Sequence, residues 1–125
     1  MISPLLALND GHRMPQLGFG LWQVPGPVTA DVTATALRLG YRLIDGAAAY
    51  RNEEGQGAGL RDSTLPRDQI FVTTKIWNSD QGFDATLRAA EASLARLGLD
   101  HVDLLLIHWP CPSRDLYPDT WHALI

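Results

Sequence analysis

Three ionisable residues of different chemistry stand at the ends of three strand-like segments of this sequence. Asp45, Lys75 and His108 each close a mostly apolar or β-branched run, and Tyr50 follows the first of them. The runs recur about every 30 residues, which is the length of one strand–helix repeat. In parallel α/β proteins the carboxyl ends of successive strands meet at one rim, where active sites are built. The spacing therefore predicts that these side chains form a proton-transfer site.

An acid, an amine, a phenol and an imidazole at one rim suit the polarisation and protonation of a carbonyl group. Tyrosine has an ordinary pKa of about 10, too high for efficient proton donation near neutral pH. A neighbouring ammonium group favours the phenolate, and a carboxylate keeps that amine charged and in place. Tyr50, Lys75 and Asp45 supply these groups, and His108 can orient a substrate oxygen by a hydrogen bond. A hydride would have to come from another molecule.

Each of these residues also has a simpler structural explanation. Alone, Asp45 would more often be a helix cap or turn residue, and Tyr50 a loop aromatic. Lys75 would be a solvated strand end, and His108 a core histidine. We favour the catalytic interpretation because four separate structural explanations would have to coincide at matching strand ends.

Three tryptophans, Trp22, Trp77 and Trp109, also lie just beyond predicted strand ends. Large aromatic side chains at this rim would wall an apolar pocket and can stack on a flat ring. Ordinary core packing is the alternative for each of them.

Two other patterns do not predict sites. The glycine-rich residues 55–60 resemble a dinucleotide fingerprint, but they do not follow their strand directly, and Leu60 replaces the third glycine. His108 and Cys111 are too few for a metal site, so we expect no metal.

The remaining pattern predicts one α/β domain over residues 1–125. Two short strands flank an Asp-Gly turn between Leu5 and Met14. Further strands are predicted over 17–22, 41–45, 70–75 and 102–107, the last of them covered on both faces. Helices are predicted from Thr29 or Asp31 to Gly40, over 53–62, over 84–97 and from Tyr117 onward. The third helix carries an apolar stripe of Leu87, Ala90, Leu94 and Leu97.

Four strand–helix units are half of an eightfold barrel, which needs about 250 residues. The 125-residue sequence ends inside the fourth predicted helix. The predicted fold class is therefore α/β, the N-terminal half of a (β/α)8 TIM barrel with an N-terminal β-hairpin.

Composition limits the partners. The net charge is −4, and the basic residues are scattered, which argues against nucleic-acid binding. No apolar run reaches the roughly 18 residues of a membrane span, and residues 1–10 do not resemble a secretory signal. We expect a cytoplasmic protein without a membrane partner.

Three segments resemble the signatures of the aldo-keto reductases. Residues 40–55 resemble the first signature of that family, residues 71–78 its lysine-bearing strand, and residues 97–110 its histidine-bearing strand. The sequence is most similar to the bacterial group that includes 2,5-diketo-gluconate reductases. The resemblance spans nearly the whole chain.

The resemblance implies an oxidoreductase that reduces a small carbonyl compound with NADPH. Tyr50 would be the general acid, Lys75 and Asp45 would adjust its acidity, and His108 would orient the carbonyl. It implies a cofactor site at Leu21, Trp22 and Asp45, and a substrate site at Trp22, Tyr50, Trp77, His108 and Trp109.

The sequence departs from the family at two points. Gly46 stands where the family more often has Thr or Ser, and we expect this to loosen the loop that holds Tyr50. The family residues that hold the nicotinamide and the 2′-phosphate lie beyond Ile125, so NADH remains an alternative cofactor.

Two functional interpretations follow. In the first, the chain is the catalytic half of an aldo-keto reductase, whose full-length form we expect to be monomeric. In the second, it is a non-catalytic fragment or interaction module that self-associates through open strand edges and exposed apolar surface. We expect the isolated chain to be inactive and to form a dimer or larger species.

Overall fold

A computed structural model describes residues 3–125. An antiparallel hairpin comes first, formed by β1 (Leu5–Ala7) and β2 (Arg13–Pro15) with Leu6 opposite Met14. The hairpin predicted around the Asp-Gly turn is therefore present. It precedes a separate four-stranded sheet and is not paired with it.

The main sheet is parallel, with strands in the order β3-β4-β5-β6. Its strands are β3 (Phe19–Gly20), β4 (Leu43–Asp45), β5 (Phe71–Ile76) and β6 (Leu104–Ile107). Strands that follow each other in the chain are neighbours in space, as in a barrel built from successive strand–helix units. All four carboxyl ends therefore lie along one edge.

Four α-helices connect or follow these strands: α1 (Gly26–Arg38), α2 (Glu53–Asp62), α3 (Phe83–Leu97) and α4 (Tyr117–Leu124). Helix α1 begins earlier than predicted, because Pro27 occupies its first turn, where a missing N–H costs nothing. Thr29 and Asp31, the two predicted helix starts, both lie inside α1, and the Thr29 hydroxyl donates to Pro25 O at 2.9 Å. Within residues 3–125, no helix is long and apolar enough to cross a membrane.

The core lies between the sheet and the first two helices, and contains Leu21, Ala36, Leu37, Ile44, Leu60, Ile70 and Val72. Close helix packing explains the glycines of α2, each of which costs about 1 kcal/mol of helix propensity. A Cβ atom on Gly57 would lie 2.0 Å from Leu97 O, and one on Gly59 would lie 2.4 Å from Ala30 O. The glycines therefore let α2 approach both neighbouring helices.

Two burial predictions were wrong. In α3, Leu97 of the predicted apolar stripe is buried but Leu87 is exposed, and the other buried positions are Thr86 and Ser93, so the stripe marks the inner face only in part. Strand β6 is not covered on both faces, and Leu106 is 37% exposed. Within residues 3–125, β6 pairs with β5 alone and forms one edge of the sheet.

Candidate active site

The parallel register brings the predicted residues to one rim of the sheet. Asp45 is the last residue of β4, Lys75 is the penultimate residue of β5, and His108 follows β6 directly. Asp45 pairs with Thr73, and His108 N continues the β5–β6 ladder by donating to Ile76 O at 3.1 Å. The backbone ladder thus sets the relative positions of the three side chains.

Lys75 is the centre of this cluster. Its ammonium group donates to both carboxylate oxygens of Asp45, each at 2.8 Å, and to Gly46 O at 2.8 Å. Tyr50 Oη lies 3.3 Å from the same nitrogen, which is also 5.0 Å from the centroid of the tyrosine ring. The lysine side chain is only 12% exposed, so these contacts replace much of its hydration.

Thr73 is a further member of the cluster that the sequence argument did not identify. Its hydroxyl donates to Asp45 Oδ1 at 2.6 Å, which orients the carboxylate toward Lys75. A signal was present in the sequence. Residues 73 and 75 of one strand point to the same face, because side chains alternate along a strand.

Tyr50 is placed by the loop between β4 and α2. It ends a short 3₁₀ turn (Ala48–Tyr50), and Arg51 follows in the left-handed conformation, with φ 56°. The buried Asn52 then donates from Nδ2 to Leu21 O at 2.9 Å and to Val24 O at 3.0 Å. These bonds tie the loop that carries Tyr50 to the end of β3.

A buried ion pair holds the start of α2. Glu53 accepts from Thr74 Oγ1 at 2.6 Å and from Arg96 Nε at 2.8 Å, so α2 is joined to β5 and α3. The Glu53 side chain is 1% exposed. The sequence contained no signal for this burial, because a glutamate in the first turn of a helix is ordinarily a solvated partner of the helix dipole.

His108 lies among aromatic rings. Its ring is 5.6 Å from that of Tyr50 and 5.1 Å from that of Trp77, both edge to face, and it stacks on Trp109 at 6.2 Å. Burial lowers the pKa of His108, the Lys75 ammonium lowers it further, and Asp45 opposes the shift. The imidazole is therefore neutral near neutral pH and carries one N–H with which to bind an oxygen atom.

The three tryptophans have different surroundings. Trp77 is partly buried and flanks His108 together with the exposed Trp109, whose carbonyl accepts from Gln81 Nε2 at 2.6 Å. Trp22 is 68% exposed beyond β3. A cleft of about 720 Å³ beside the rim includes Trp77, Asn52 and Arg96 in its lining but neither Trp22 nor Trp109. The lining of this cleft thus includes one of the three tryptophans.

Leu21, which the resemblance implied as part of a cofactor site, lies in the core. Its side chain is fully buried in the core, its N–H donates to Asp45 O at 2.9 Å, and its carbonyl accepts from Asn52. The side chain therefore packs in the core and is not open to solvent at the rim. Leu21 instead anchors the backbone of Asp45 and the loop after Tyr50.

The fold and this cluster define a barrel-type α/β protein with a polar site at its carboxyl rim. Residues 16–125 match the sequence profile of the Aldo/keto reductase family. The chain therefore belongs to the aldo-keto reductase family.

Individual relatives agree with this assignment. The chain is 48% identical over 124 residues to methylglyoxal reductase DkgA from Yersinia pestis, covering 99% of the chain and 44% of that protein. An aldo/keto reductase structure from Brucella melitensis matches with a TM-score of 0.95 and 51% identity, over 99% of the chain and 47% of that structure. A point mutant of Gox0644 in complex with NADPH matches with a TM-score of 0.92 and 47% identity, over 99% and 44%.

The chain thus spans less than half the length of the relatives it matches. Those structures are (β/α)8 barrels, and the four strand–helix units described here form the N-terminal half of that fold. The predicted family and fold class are both confirmed.

Proposed function

We propose that this chain supplies the catalytic groups of an aldo-keto reductase that reduces aldehydes or ketones to alcohols with NADPH. One observation carries the proposal: Lys75 Nζ lies within reach of both the Asp45 carboxylate and the Tyr50 hydroxyl. This is the arrangement that proton donation by a phenol requires, because the phenolate left behind needs a nearby positive charge.

Tyr50 is the general acid in this proposal. When bound, NADPH supplies the hydride that reduces the carbonyl carbon. Tyr50 Oη donates its proton to the carbonyl oxygen, which becomes the alcohol hydroxyl. The ammonium of Lys75 stabilises the resulting phenolate, and Asp45 keeps that ammonium in position.

His108 orients the substrate. Its ring packs against the Tyr50 ring, so an oxygen that reaches the phenol is also beside the imidazole. The lowered pKa of His108 keeps the ring neutral, and its N–H can hydrogen-bond to the carbonyl oxygen without competing as a strong acid. This leaves Tyr50 as the proton donor.

The residues present fit part of a nicotinamide cofactor site. The Asp45 carboxylate is about one-third exposed at the rim and can accept hydrogen bonds from ribose hydroxyls. Trp22 presents an exposed flat ring just beyond β3, the strand that neighbours β4. We propose that these two residues hold the cofactor near Tyr50. Methylglyoxal reductase among the relatives favours a small dicarbonyl or aldehyde as substrate.

A test of the site compares Tyr50→Phe with Tyr41→Phe in a form of the protein that contains the complete barrel. The first variant should lose about 10²–10⁴-fold in turnover of NADPH with an aldehyde, followed at 340 nm, while still binding NADPH. The second should retain activity, because Tyr41 precedes β4, at the opposite end of that strand from Asp45, and packs against Phe19. Unchanged turnover in Tyr50→Phe would remove Tyr50 from its proposed role.

A second proposal concerns the 125-residue chain by itself, as an inactive and self-associating unit. The exposed edge of β6 favours it, because Leu106 and Trp109 are both exposed there. Unpaired strand edges are templates for pairing with another chain. Light scattering should show a dimer or larger species, and the assay at 340 nm should show no NADPH-dependent reduction. A monomer, or turnover that Tyr50→Phe abolishes, would contradict this proposal.

A further inference from the structure

Gly46 follows Asp45 directly and contributes one of the contacts that hold Lys75. Its carbonyl accepts from Lys75 Nζ at 2.8 Å, and its N–H donates to Thr73 O at 3.1 Å. Its φ angle is not positive, so any L residue could adopt this backbone conformation. The reason for a glycine at this position must therefore lie outside its own backbone.

The side chain of Gln56 occupies the space that a side chain at position 46 would need. A Cβ atom on Gly46 would lie 2.0 Å from Gln56 Oε1, 2.9 Å from its Cδ and 3.2 Å from its Nε2. Since the Cα–Cβ bond adds only about 1.5 Å, Gln56 Oε1 lies within about 3.5 Å of Gly46 Cα. That is the separation of a Cα–H···O contact. The amide thus packs directly against the glycine.

Gln56 is a polar residue in a fully buried position. Among residues 3–125 neither its Oε1 nor its Nε2 has a hydrogen-bond partner. Burying an unpaired amide is unfavourable, so packing must compensate. Helix α2 cannot move away to relieve it, because Glu53 binds Thr74 and Arg96 one turn earlier.

We propose that Gln56 is a positioning residue for Lys75. Its amide fills the space over Gly46 and holds in place the carbonyl to which Lys75 donates, so residues 46 and 56 form a coupled pair. The sequence led us to expect that Gly46 loosens the Tyr50 loop. In this proposal the loop is not loosened, because Gln56 fills the space that a side chain at position 46 would occupy. The consequence for catalysis rests on the proposed function, whereas the packing relation does not.

The coupling can be measured on the 125-residue chain with Gly46→Ser, Gln56→Ala and the double variant. Lys75 is the only lysine of the chain. Labelling lysine with ¹³C at Cε therefore gives a single side-chain NMR signal, which belongs to Lys75. That signal responds to the Tyr50 ring, whose centroid is 5.0 Å from Nζ. The label remains observable if the chain is a dimer.

Gly46→Ser should shift the Lys75 signal, and the double variant should return it toward its original position. Gly59→Ala is the matched control, because its Cβ would clash with Ala30 O between α1 and α2, away from Lys75. It should lower stability and leave the Lys75 signal in place. A Lys75 signal that Gly46→Ser does not move, or that Gly59→Ala moves equally, would overturn the proposal.

Denaturant unfolding keeps the proposal testable if Gly46→Ser alone does not fold. The double variant of Gly46→Ser with Gln56→Ala should then fold. Where Gly46→Ser also folds, the coupling should be at least about tenfold in the unfolding equilibrium constant. Failure of the double variant to fold, when Gln56→Ala does fold, would refute the coupling.

The catalytic consequence is tested separately in a form with the complete barrel. Gly46→Ser should lower kcat with little change in KM, and the double variant should recover most of that loss. A loss of kcat that the double variant does not recover would count against positioning. Absence of turnover in every variant would refute the proposed function alone, and the NMR result would still decide the packing relation.

Discussion

Replacing Arg96 with methionine should destabilise the chain, because the buried Glu53 carboxylate would lose its charged partner. Glu53 is 1% exposed, and Arg96 reaches it with Nε at 2.8 Å and Nη2 at 2.7 Å. In Arg96→Met the carboxylate would remain buried, with the Thr74 hydroxyl as its remaining partner within residues 3–125. Methionine keeps much of the apolar part of the arginine side chain, so the loss of stability mainly reflects the missing guanidinium charge.

The expected magnitude follows from burial. Removing one partner of a fully buried ion pair costs about 3–5 kcal/mol. Arg96 is 39% exposed, and water screens part of its charge, so we expect a smaller loss of about 2–3 kcal/mol. Glu53→Gln combined with Arg96→Met should recover about 1–2 kcal/mol, because a neutral amide tolerates burial better.

The assay is urea unfolding followed by tryptophan fluorescence, at one fixed protein concentration because self-association would alter the apparent stability. Arg88→Met on the same helix is the matched control, since Arg88 is exposed. It should cost no more than about 0.5 kcal/mol. A similar small loss for Arg96→Met, or strict additivity in the double variant, would refute the view that Glu53 is held as a buried charge.

Three further predictions concern the site and the open edge. The contribution of His108 to the free energy of unfolding should be fully present above about pH 6.5 and be lost as pH falls through the lowered pKa of His108. In that range the folded chain binds fewer protons than the unfolded chain, so a fall in pH favours unfolding. His108→Gln should reduce this dependence in urea unfolding at pH 5 and pH 7.5, and an unchanged dependence would contradict it. Lys75→Met should lower the rate of aldehyde reduction in the complete barrel by at least about tenfold. Normal turnover would show that Lys75 does not assist the proposed general acid. Leu106→Lys should reduce the mass seen by light scattering, because an edge lysine disfavours strand pairing. Unaltered mass would locate self-association elsewhere.

The cluster around Lys75 was predictable because strand ends follow a simple rule. Asp45, Lys75 and His108 each lie at or next to the end of a parallel strand, and parallel strands in register bring their carboxyl ends together. The 3.3 Å separation of Lys75 Nζ from Tyr50 Oη agrees with that rule. Thr73 was predictable by the same reasoning from strand alternation.

The supporting residues were not predictable, because their partners are remote in the chain. Glu53 meets Arg96 43 residues later, and no local pattern distinguishes it from an exposed glutamate. The burial of Leu87 and Leu106 was predicted wrongly for a related reason. An apolar pattern states which side chains favour burial, but the neighbouring element decides whether they are covered.

In the sequence by itself, three segments that resemble family signatures indicated the family. The sequence also determined the alternation of strands and helices and the four residues brought to one rim, because these depend on local periodicity and strand direction. Only the tertiary structure decided how that rim is held together. The fit of Gln56 against Gly46 and the buried pair of Glu53 with Arg96 are properties of packing between elements. Packing depends on the distances between side chains from separate segments, which no single segment encodes.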